Sequence, residues 1–530
     1  MQPGMSEVDA ARFLTQATFG IRSSQEVRDL QAQGLEHWLW VQFNAPFALH
    51  TSYLDLQRRR NDKQHASEEM SYEAVWRQWL FEEGQLRARV VFALSEILVI
   101  SNVAPDIRPY AMSSYMDMLG KHAFGNYRDL LKAVTLHPAM GYYLNMLESE
   151  KENPDTGTHP NENYAREVLQ LFSIGLVQLN RDGSTINGPD GRPLPTYSED
   201  VVKGFARAFS GWSFGGQTPK AGQALDELFE GSDYELDANW TASMRAYPER
   251  HEAGTKLLLN GQTLPAGQSP EKDMDDALDN IFNHPNVGPF IGRQLIQRLV
   301  TSNPSAAYID RVASVFNDNG QGVRGDLKAV IRAVLLDSQA RDETVSTRSG
   351  FGKLREPVIR LSALLRAFGA TPPSTSGRTD LHYLDSPEDG LGQSPLLSPS
   401  VFNFFSPNYR HPGVLAQAGL VAPEFQITTE TSVVGSCNTL AGVVWKGGYG
   451  WGEQSRLRFD WAPWETLAQS GSELLQVLNI VFCCARMSSS TRTRLQTLLT
   501  SAAAQNASPK ERVQALMIVL LVSPDFVVQK

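Results

Sequence analysis

The segment NENYAREVLQLFSIG, at residues 161–175, has the pattern of an amphipathic helix. Pro160 precedes it and Gly175 closes it, as expected for a helix start and a helix stop. Apolar side chains recur at helical spacing along one face, which consists of Tyr164, Val168, Leu171 and Phe172. The segment therefore predicts a helix that buries this face in a core.

The same helix carries polar groups on its other faces. Asn163 and Glu167 are four residues apart and share one face, while Glu162 and Arg166 share another and can pair across one turn. A helix packed on one side brings some of these groups near the core, where a carboxylate needs a cation, a metal or several hydrogen-bond donors. This helix is therefore the best candidate for a functional site.

Helical periodicity continues on both sides of the segment. It predicts further helices at 24–33, 85–101 and 127–135, and the aromatic stretch 445–464 is predicted to be a loop. Residues 176–197 contain two Asp-Gly turns and predict a β-hairpin. The predicted fold class is all-α: mainly helical, with one small β-hairpin and long irregular loops.

One stretch of the chain has the composition of a connection between regions. Residues 371–400 are rich in proline, serine and glycine, which makes them the best internal boundary. They separate a helical core at 1–370, which carries the helix at 161–175, from a C-terminal helical region at 401–530. We expect the C-terminal region to pack on the core.

The overall composition limits the class of protein. Of the 530 residues, 42% are hydrophobic and 20% are charged, which is typical of a soluble globular protein. The net charge of −10 argues against a nucleic-acid partner, because nucleic-acid-binding proteins present a basic face. No apolar run approaches the ~18 residues of a membrane span. Residues 1–7 lack the basic and apolar regions of a signal peptide.

Several stretches resemble motifs of a bacterial family known as domain of unknown function 1800. Besides the segment at 161–175, these stretches are 10–20, 137–140, 200–212, 251–256, 355–358, 399–403 and 523–526. Members are uncharacterised and mostly exported helical proteins, so the resemblance implies a periplasmic or extracellular location. It also implies a candidate partner, because members are often encoded beside a sulfatase-like family, domain of unknown function 1501.

The order of these motifs suggests that further polar residues meet the central helix in space. The candidate catalytic residues are Glu162, Glu167, Asp200, Arg207 and His251, and Asn163 is a candidate binding residue. Carboxylates with a histidine suit a divalent cation or a general acid–base pair. A network of ion pairs with Arg166, Arg207 and Lys256 would explain the same residues without chemistry. No paired-histidine motif identifies metal ligands.

The aromatic stretch at 445–464 offers a second type of site. Trp451, Trp461 and Trp464 are candidate binding residues, because flat aromatic faces can stack on sugar rings. The same side chains could instead seal the stretch onto the helical core.

Two functions remain open from the sequence. The first is an exported binding or assembly protein of the bacterial envelope, which acts with the sulfatase-like partner or with an envelope polysaccharide. The second is a hydrolytic enzyme, which could use a divalent cation at the acidic cluster around the central helix. We find no Gly-x-Ser-x-Gly nucleophile motif and no phosphate-binding Gly-Lys-Ser/Thr motif.

Overall fold

The structure is a computed structural model and describes residues 4–60, 65–230, 233–372, 377–453 and 455–530. Helices dominate these residues, and the predicted mainly helical fold is confirmed. Among the residues described, none of the helices combines the length and the apolar composition that crossing a bilayer requires.

The helices fall along the whole chain. Up to residue 282 they are α1 (Glu7–Ala17), α2 (Ser24–Gln33), α3 (Leu35–Asn44), α4 (His50–Arg60), α5 (Glu68–Phe81), α6 (Gln85–Ser95), α7 (Pro109–His122), α8 (Tyr127–Thr135), α9 (Pro138–Tyr143), α10 (Asn163–Gln170), α11 (Glu199–Ala208), α12 (Asp237–Thr241) and α13 (Pro270–Phe282). The helices that follow are α14 (Val287–Leu299), α15 (Ala306–Asn317), α16 (Leu327–Leu336), α17 (Ser338–Arg341), α18 (Glu343–Ser346), α19 (Pro357–Ala367), α20 (Val414–Gln417), α21 (Glu430–Lys446), α22 (Ala462–Leu467), α23 (Gly471–Cys483), α24 (Ser489–Thr500), α25 (Ala502–Asn506), α26 (Pro509–Leu521) and α27 (Pro524–Val527). Short 3-10 helices lie at Leu225–Leu228, Pro248–Arg250, Leu259–Gly261 and Pro423–Ile427.

The strands are two residues long and pair in antiparallel fashion. They are β1 (Trp212–Ser213) with β2 (Arg245–Ala246), β3 (Lys256–Leu257) with β4 (Thr263–Leu264), and β5 (Lys353–Leu354) with β6 (Val528–Gln529). The predicted hairpin at 176–197 forms isolated bridges instead of regular strands. Its two turns form as predicted, with Gly183 and Gly191 at φ 79° and 76°, where a side chain would be strained.

The central helix is shorter than predicted. Helix α10 spans Asn163–Gln170, and the chain then winds more widely, so that the Gly175 N–H donates to the Leu169 carbonyl at 3.0 Å. The apolar face is buried as expected, since Tyr164, Val168 and Phe172 are at most 1% exposed. The shorter helix leaves residues 171–175 as an irregular segment beside α14.

One cluster of buried apolar side chains runs from Ala10 in α1 to Phe526 in α27. The C-terminal helices share this core with the N-terminal ones, and α1 contacts α23 directly. Near these helices, β5 pairs with β6, and the buried Arg12 donates to the carbonyl oxygens of Ala340 and Lys530, both at 2.9 Å. Distant parts of the chain are therefore joined at this junction.

Candidate functional site

The polar residues at the start of the central helix form a surface ion-pair bridge. Arg166 lies 3.1 Å from Glu162 on its own helix and 2.8 Å from Glu199 in the first turn of α11. Asn163 donates to the Asn145 side chain at 3.1 Å, and Asp200 is exposed. These groups connect α10 to α11, and exposed pairs of this kind stabilise a fold by about 1 kcal/mol or less.

Arg207 lies on the same side of the molecule as Glu162. The two side chains line one open groove of about 360 Å³, together with His159 and Lys203. Arg207 is half-exposed and lies 3.7 Å from Glu152. The structure therefore brings these two predicted residues together, at a solvated surface.

His251 is buried in a separate charged cluster. Its Nε2 lies 2.8 Å from Asp273 Oδ2, and the Lys256 ammonium lies 2.6 Å from the same oxygen. The three side chains are at most 4% exposed. Burial alone would raise the pKa of Asp273, but hydrogen bonds from His251, Lys256 and Gln268 outweigh it and hold this pKa below its usual value. The cluster is sealed and paired, which suits a role in holding β3 against α13.

Glu167 is the buried carboxylate of the central helix. It is 7% exposed, and burial raises its pKa even though Arg166 acts in the opposite direction. Its Oε2 and the Tyr197 hydroxyl form no hydrogen bond with the described residues. The predicted catalytic residues thus contact different partners and do not all belong to one site. Within the described part of the chain, no group of three or more His, Cys, Asp or Glu side chains is arranged to hold a metal ion.

The predicted binding tryptophans differ in exposure. Trp464 is 4% exposed and stacks on Phe368 with ring centroids 4.6 Å apart, and Trp461 packs edge-on against the same ring. Trp451 is 80% exposed, with the Lys446 ammonium 4.8 Å from its ring centroid. Two of the three side chains therefore contribute to packing, and Trp451 alone of the three presents an open face.

A cleft of about 540 Å³ opens where residues 171–177 face α14 and the segment 401–408. Its apolar wall includes Leu171, Ile174, Leu176, Val177, Phe290 and Phe402. A Cβ at Gly175 would lie 2.7 Å from Phe290 Cε2, and Gly175 has φ 73°, so this position of the central segment requires glycine. The segment 161–175 therefore forms part of one wall of the cleft, but its carboxylates do not line the cleft.

The charged side chains that line the cleft, among the residues described, are Glu96, Arg293 and Arg298. Arg298 is buried, with Nε 3.6 Å from Glu96 Oε2 and its guanidinium 4.7 Å from the Phe405 ring centroid. Glu96 also lines a second, smaller cavity. It therefore borders both cavities.

Glu96 forms a carboxyl pair with Glu356. Both are buried, at 5% and 0% exposure, and Glu96 Oε2 and Glu356 Oε1 have no hydrogen-bond partner if both groups are ionised. Burial first, and then the Glu356 carboxylate, raise the pKa of Glu96 to about 8. Burial opposes ionisation of Glu356 too, but Lys353 and the hydrogen bond from Glu96 keep its pKa below the usual value. Glu96 therefore holds a proton at neutral pH and donates it to Glu356.

Local structure fixes both carboxyl groups. Glu96 ends α6, and the Asn403 amide donates to its Oε1 at 3.2 Å. Asn403 has φ 63°, a conformation that asparagine tolerates better than most residues. Glu356 precedes Pro357 at the start of α19, and Gln393 donates to its Oε2 at 2.7 Å. The stretches 355–358 and 399–403, noted above for their resemblance to family motifs, thus meet at one carboxyl pair.

Sequence reasoning missed Glu96 and Arg298. Glu96 lies in the run 85–101, which was predicted to be one apolar helix, and it is the acidic residue of that run. A lone carboxylate among buried apolar residues needs a specific partner, so it is a signal that could have been used. Its partner Glu356 lies 260 positions further on, beyond the reach of any local pattern.

Comparison with known proteins places the chain in a family. Residues 12–528 match the family described as "Protein of unknown function (DUF1800)". The comparison with curated proteins and the comparison with solved structures each returned no match. Because the match covers nearly the whole chain, the protein belongs to the DUF1800 family.

Proposed function

We propose that the protein is an exported binding protein of the bacterial envelope and that it holds its ligand in the cleft between residues 171–177 and α14. The observation that carries this proposal is the combination of a cavity of about 540 Å³, an apolar wall and unpaired polar groups. Cavities of this size and lining are the usual sites for small ligands.

The unpaired groups belong to two glutamines of α14 that line the cleft. Gln294 Nε2 and Gln297 Oε1 are buried and form no hydrogen bond with the described residues. A buried polar atom without a partner costs about 1–3 kcal/mol. A ligand that reaches these amides and covers the apolar wall would recover this free energy and add hydrophobic stabilisation.

The proposed location and partner rest on the family resemblance rather than on the cleft. Exported relatives support a periplasmic or extracellular site of action. They also support a partnership with a sulfatase-like protein of the domain of unknown function 1501 family, or with an envelope polysaccharide. Subcellular fractionation, and co-purification from cells that express both proteins at native levels, would test these two parts of the proposal.

Cleft binding can be tested with a cavity-filling variant. Leu171→Trp places extra volume on the cleft wall, while Val414→Trp adds the same side chain at a position that is 81% exposed and outside the cleft. Ligands would be found by native mass spectrometry after incubation with envelope lipid and polysaccharide extracts. We expect affinity to fall at least tenfold in Leu171→Trp and to persist in Val414→Trp. Equal binding by both variants would place the ligand elsewhere.

A hydrolytic enzyme is the second candidate function, and the carboxyl pair is the observation that favours it. A carboxyl group that keeps its proton near pH 7 can act as a general acid toward a leaving oxygen. Glu96 lines the cleft and has this property. Turnover of chromogenic esters or glycosides by the wild type, and its loss in Glu96→Gln with folding intact, would support this function over simple binding.

A further inference from the structure

The cleft carries positive charge although the protein as a whole is acidic. The net charge of the chain is −10, whereas the charged groups that line the cleft, in the part of the chain that is described, are two arginines and one glutamate. Glu96 is protonated at neutral pH, because burial and Glu356 raise its pKa to about 8. Arg298 lies 3.6 Å from Glu96, whereas Arg293 has no carboxylate beside it among the described residues.

Arg293 lines the cleft without a side-chain partner among the described residues. It lies in α14 and is partly buried. The side chains of Arg293 and of the exposed Arg410 form no ion pair and no hydrogen bond with the described residues. Burial, and then repulsion from Arg410, lower the pKa of Arg293. The positive charge of Arg410 thus acts on Arg293, and neither side chain is paired with an anion among the described residues.

Arg366 provides a comparison, because it is a buried arginine whose contacts are structural. It is buried, and its guanidinium donates to the carbonyl oxygens of Gly20 at 2.9 Å and Trp79 at 3.1 Å. Arg298 has partners as well, because it lies 3.6 Å from Glu96 and 4.7 Å from the Phe405 ring centroid. Arg293, in contrast, has no such side-chain partner at the wall of the cleft.

We infer that Arg293 at the cleft wall forms an anion subsite, to which Arg410, two residues beyond the cleft-lining Asn408, adds positive charge, and that the ligand of the cleft is an amphipathic anion with an apolar body. Its carboxylate, sulfate or phosphate group would bind the Arg293 guanidinium, and its apolar part would lie along Leu171, Ile174 and Phe290. This inference rests on the proposed function, because it assigns a chemical class to the ligand of the same cleft.

The physical basis is charge compensation. A guanidinium binds carboxylate, sulfate or phosphate oxygens through paired hydrogen bonds. Binding an anion also removes the repulsion between the two arginines. An uncharged ligand of the same shape would leave the guanidinium of Arg293 without an anion and the repulsion from Arg410 in place. The cleft should therefore discriminate between ligands by their charge as well as by their apolar surface.

The test uses four probes with the same octyl chain: nonanoate, octyl sulfate, octyl phosphate and the neutral octyl glucoside. Binding to the full-length protein is measured by titration calorimetry below the micelle concentration. Inorganic sulfate and phosphate test the head group alone, and the three octyl anions identify the preferred group. We expect at least one octyl anion to bind at least tenfold more tightly than octyl glucoside, and to weaken when salt rises from 50 to 500 mM.

Variants then assign the effect to the subsite. We expect Arg293→Gln and Arg410→Gln each to weaken anion binding at least fivefold and to leave octyl glucoside binding unchanged. Arg410 is exposed, so its replacement should not impair folding. Arg192→Gln is the matched control, since Arg192 is 86% exposed and its removal changes the net charge equally.

The outcomes separate this inference from the proposed function. If octyl glucoside and the octyl anions bind equally, and Leu171→Trp abolishes both, the cleft binds ligands but the anion subsite is refuted. If the anions bind more tightly but lose as much affinity in Arg192→Gln as in Arg293→Gln, the charge preference is not local and the subsite is again refuted. If no octyl anion binds at millimolar concentration, the inference is overturned directly.

Discussion

Replacing Glu96 by glutamine removes one proton-binding group and little else. The glutamine amide can donate to Glu356 as the Glu96 carboxyl does, and its carbonyl oxygen can still accept the bond from Asn403, which measures 3.2 Å. The variant therefore resembles wild type with Glu96 permanently protonated. Any difference in their pH dependence of stability reports the titration of Glu96.

The size of the effect follows from the pKa of Glu96. It is about 8 in the folded protein against an ordinary value of 4.5, so between these pH values the folded state holds a proton that the unfolded state has lost. Wild-type stability therefore falls as pH rises, by about 3–4 kcal/mol between pH 5 and pH 9. For 530 residues unfolding together, about 1 kcal/mol shifts the Tm by about 1 °C. The Tm of the wild type should fall by about 3–4 °C relative to Glu96→Gln.

Differential scanning calorimetry at pH 5.5, 7.0 and 8.5 measures this difference directly. The two proteins share all other titrating groups, so those contributions cancel in the comparison. We expect similar Tm values at pH 5.5 and a more stable variant at pH 8.5. A difference in Tm that is the same at all three pH values would show that Glu96 does not hold a proton in the folded state.

Glu356→Gln is the control, because Glu356 is the ionised member of the pair. Its Oε1 lies 3.6 Å from the buried Lys353 ammonium. Lys353 keeps its ion pair with Glu424 Oε1 at 3.0 Å but loses its second buried anion, and breaking a buried ion pair costs up to about 3–5 kcal/mol. We expect this variant to be destabilised at every pH between 5 and 9. Equal behaviour of the two variants would mean that the two carboxyl groups are not in different protonation states.

Three further predictions concern stability and can be checked by the same calorimetry. Trp464→Ala should cost about 3–5 kcal/mol, because the ring is 4% exposed, whereas Trp451→Ala should change stability by less than about 0.5 kcal/mol; similar losses would contradict the assigned burial. Gly204→Ala should destabilise, since its Cβ would lie 1.8 Å from a backbone oxygen of β3, whereas Gly442→Ala meets no atom within 4 Å and should stabilise helix α21 by about 0.5–1 kcal/mol. Lys256→Met should cost about 3–5 kcal/mol because it breaks a buried ion pair, and an unchanged Tm would show that the pair is dispensable.

Elements that depend on local signals could be predicted from the sequence. Helices α2 and α8 have the predicted bounds, Ser24–Gln33 and Tyr127–Thr135. In each case a side chain caps the first turn: Ser23 accepts from the Glu26 N–H, and Asn126 accepts from the Arg128 N–H. Caps and apolar periodicity depend on about a dozen consecutive residues, so they can be recognised without knowledge of the fold.

Elements that depend on distant contacts were predicted less well. The helix predicted at 85–101 ends at Ser95, where Glu96 turns toward partners from other parts of the chain. The stretch 445–464 was predicted to be a loop, but its first two residues end α21 and its last three begin α22. The candidate site also combines parts that depend on local sequence with parts that depend on distant contacts. Residues 171–175 could be singled out by sequence, whereas the pairing of Glu96 with Glu356 exists only in the folded chain.

During translation, Arg12 leaves the ribosome long before one of its hydrogen-bond acceptors exists. The Lys530 carbonyl follows 518 residues later, a delay of about 25 to 100 s at ~5–20 residues per second. Strand β5 likewise cannot pair until β6 has been synthesised. The junction that joins α1 to β5 and β6 can therefore close only after synthesis has passed nearly the whole chain. The junction therefore stays open in the nascent chain until synthesis is nearly over, and chaperones can act on it during that time.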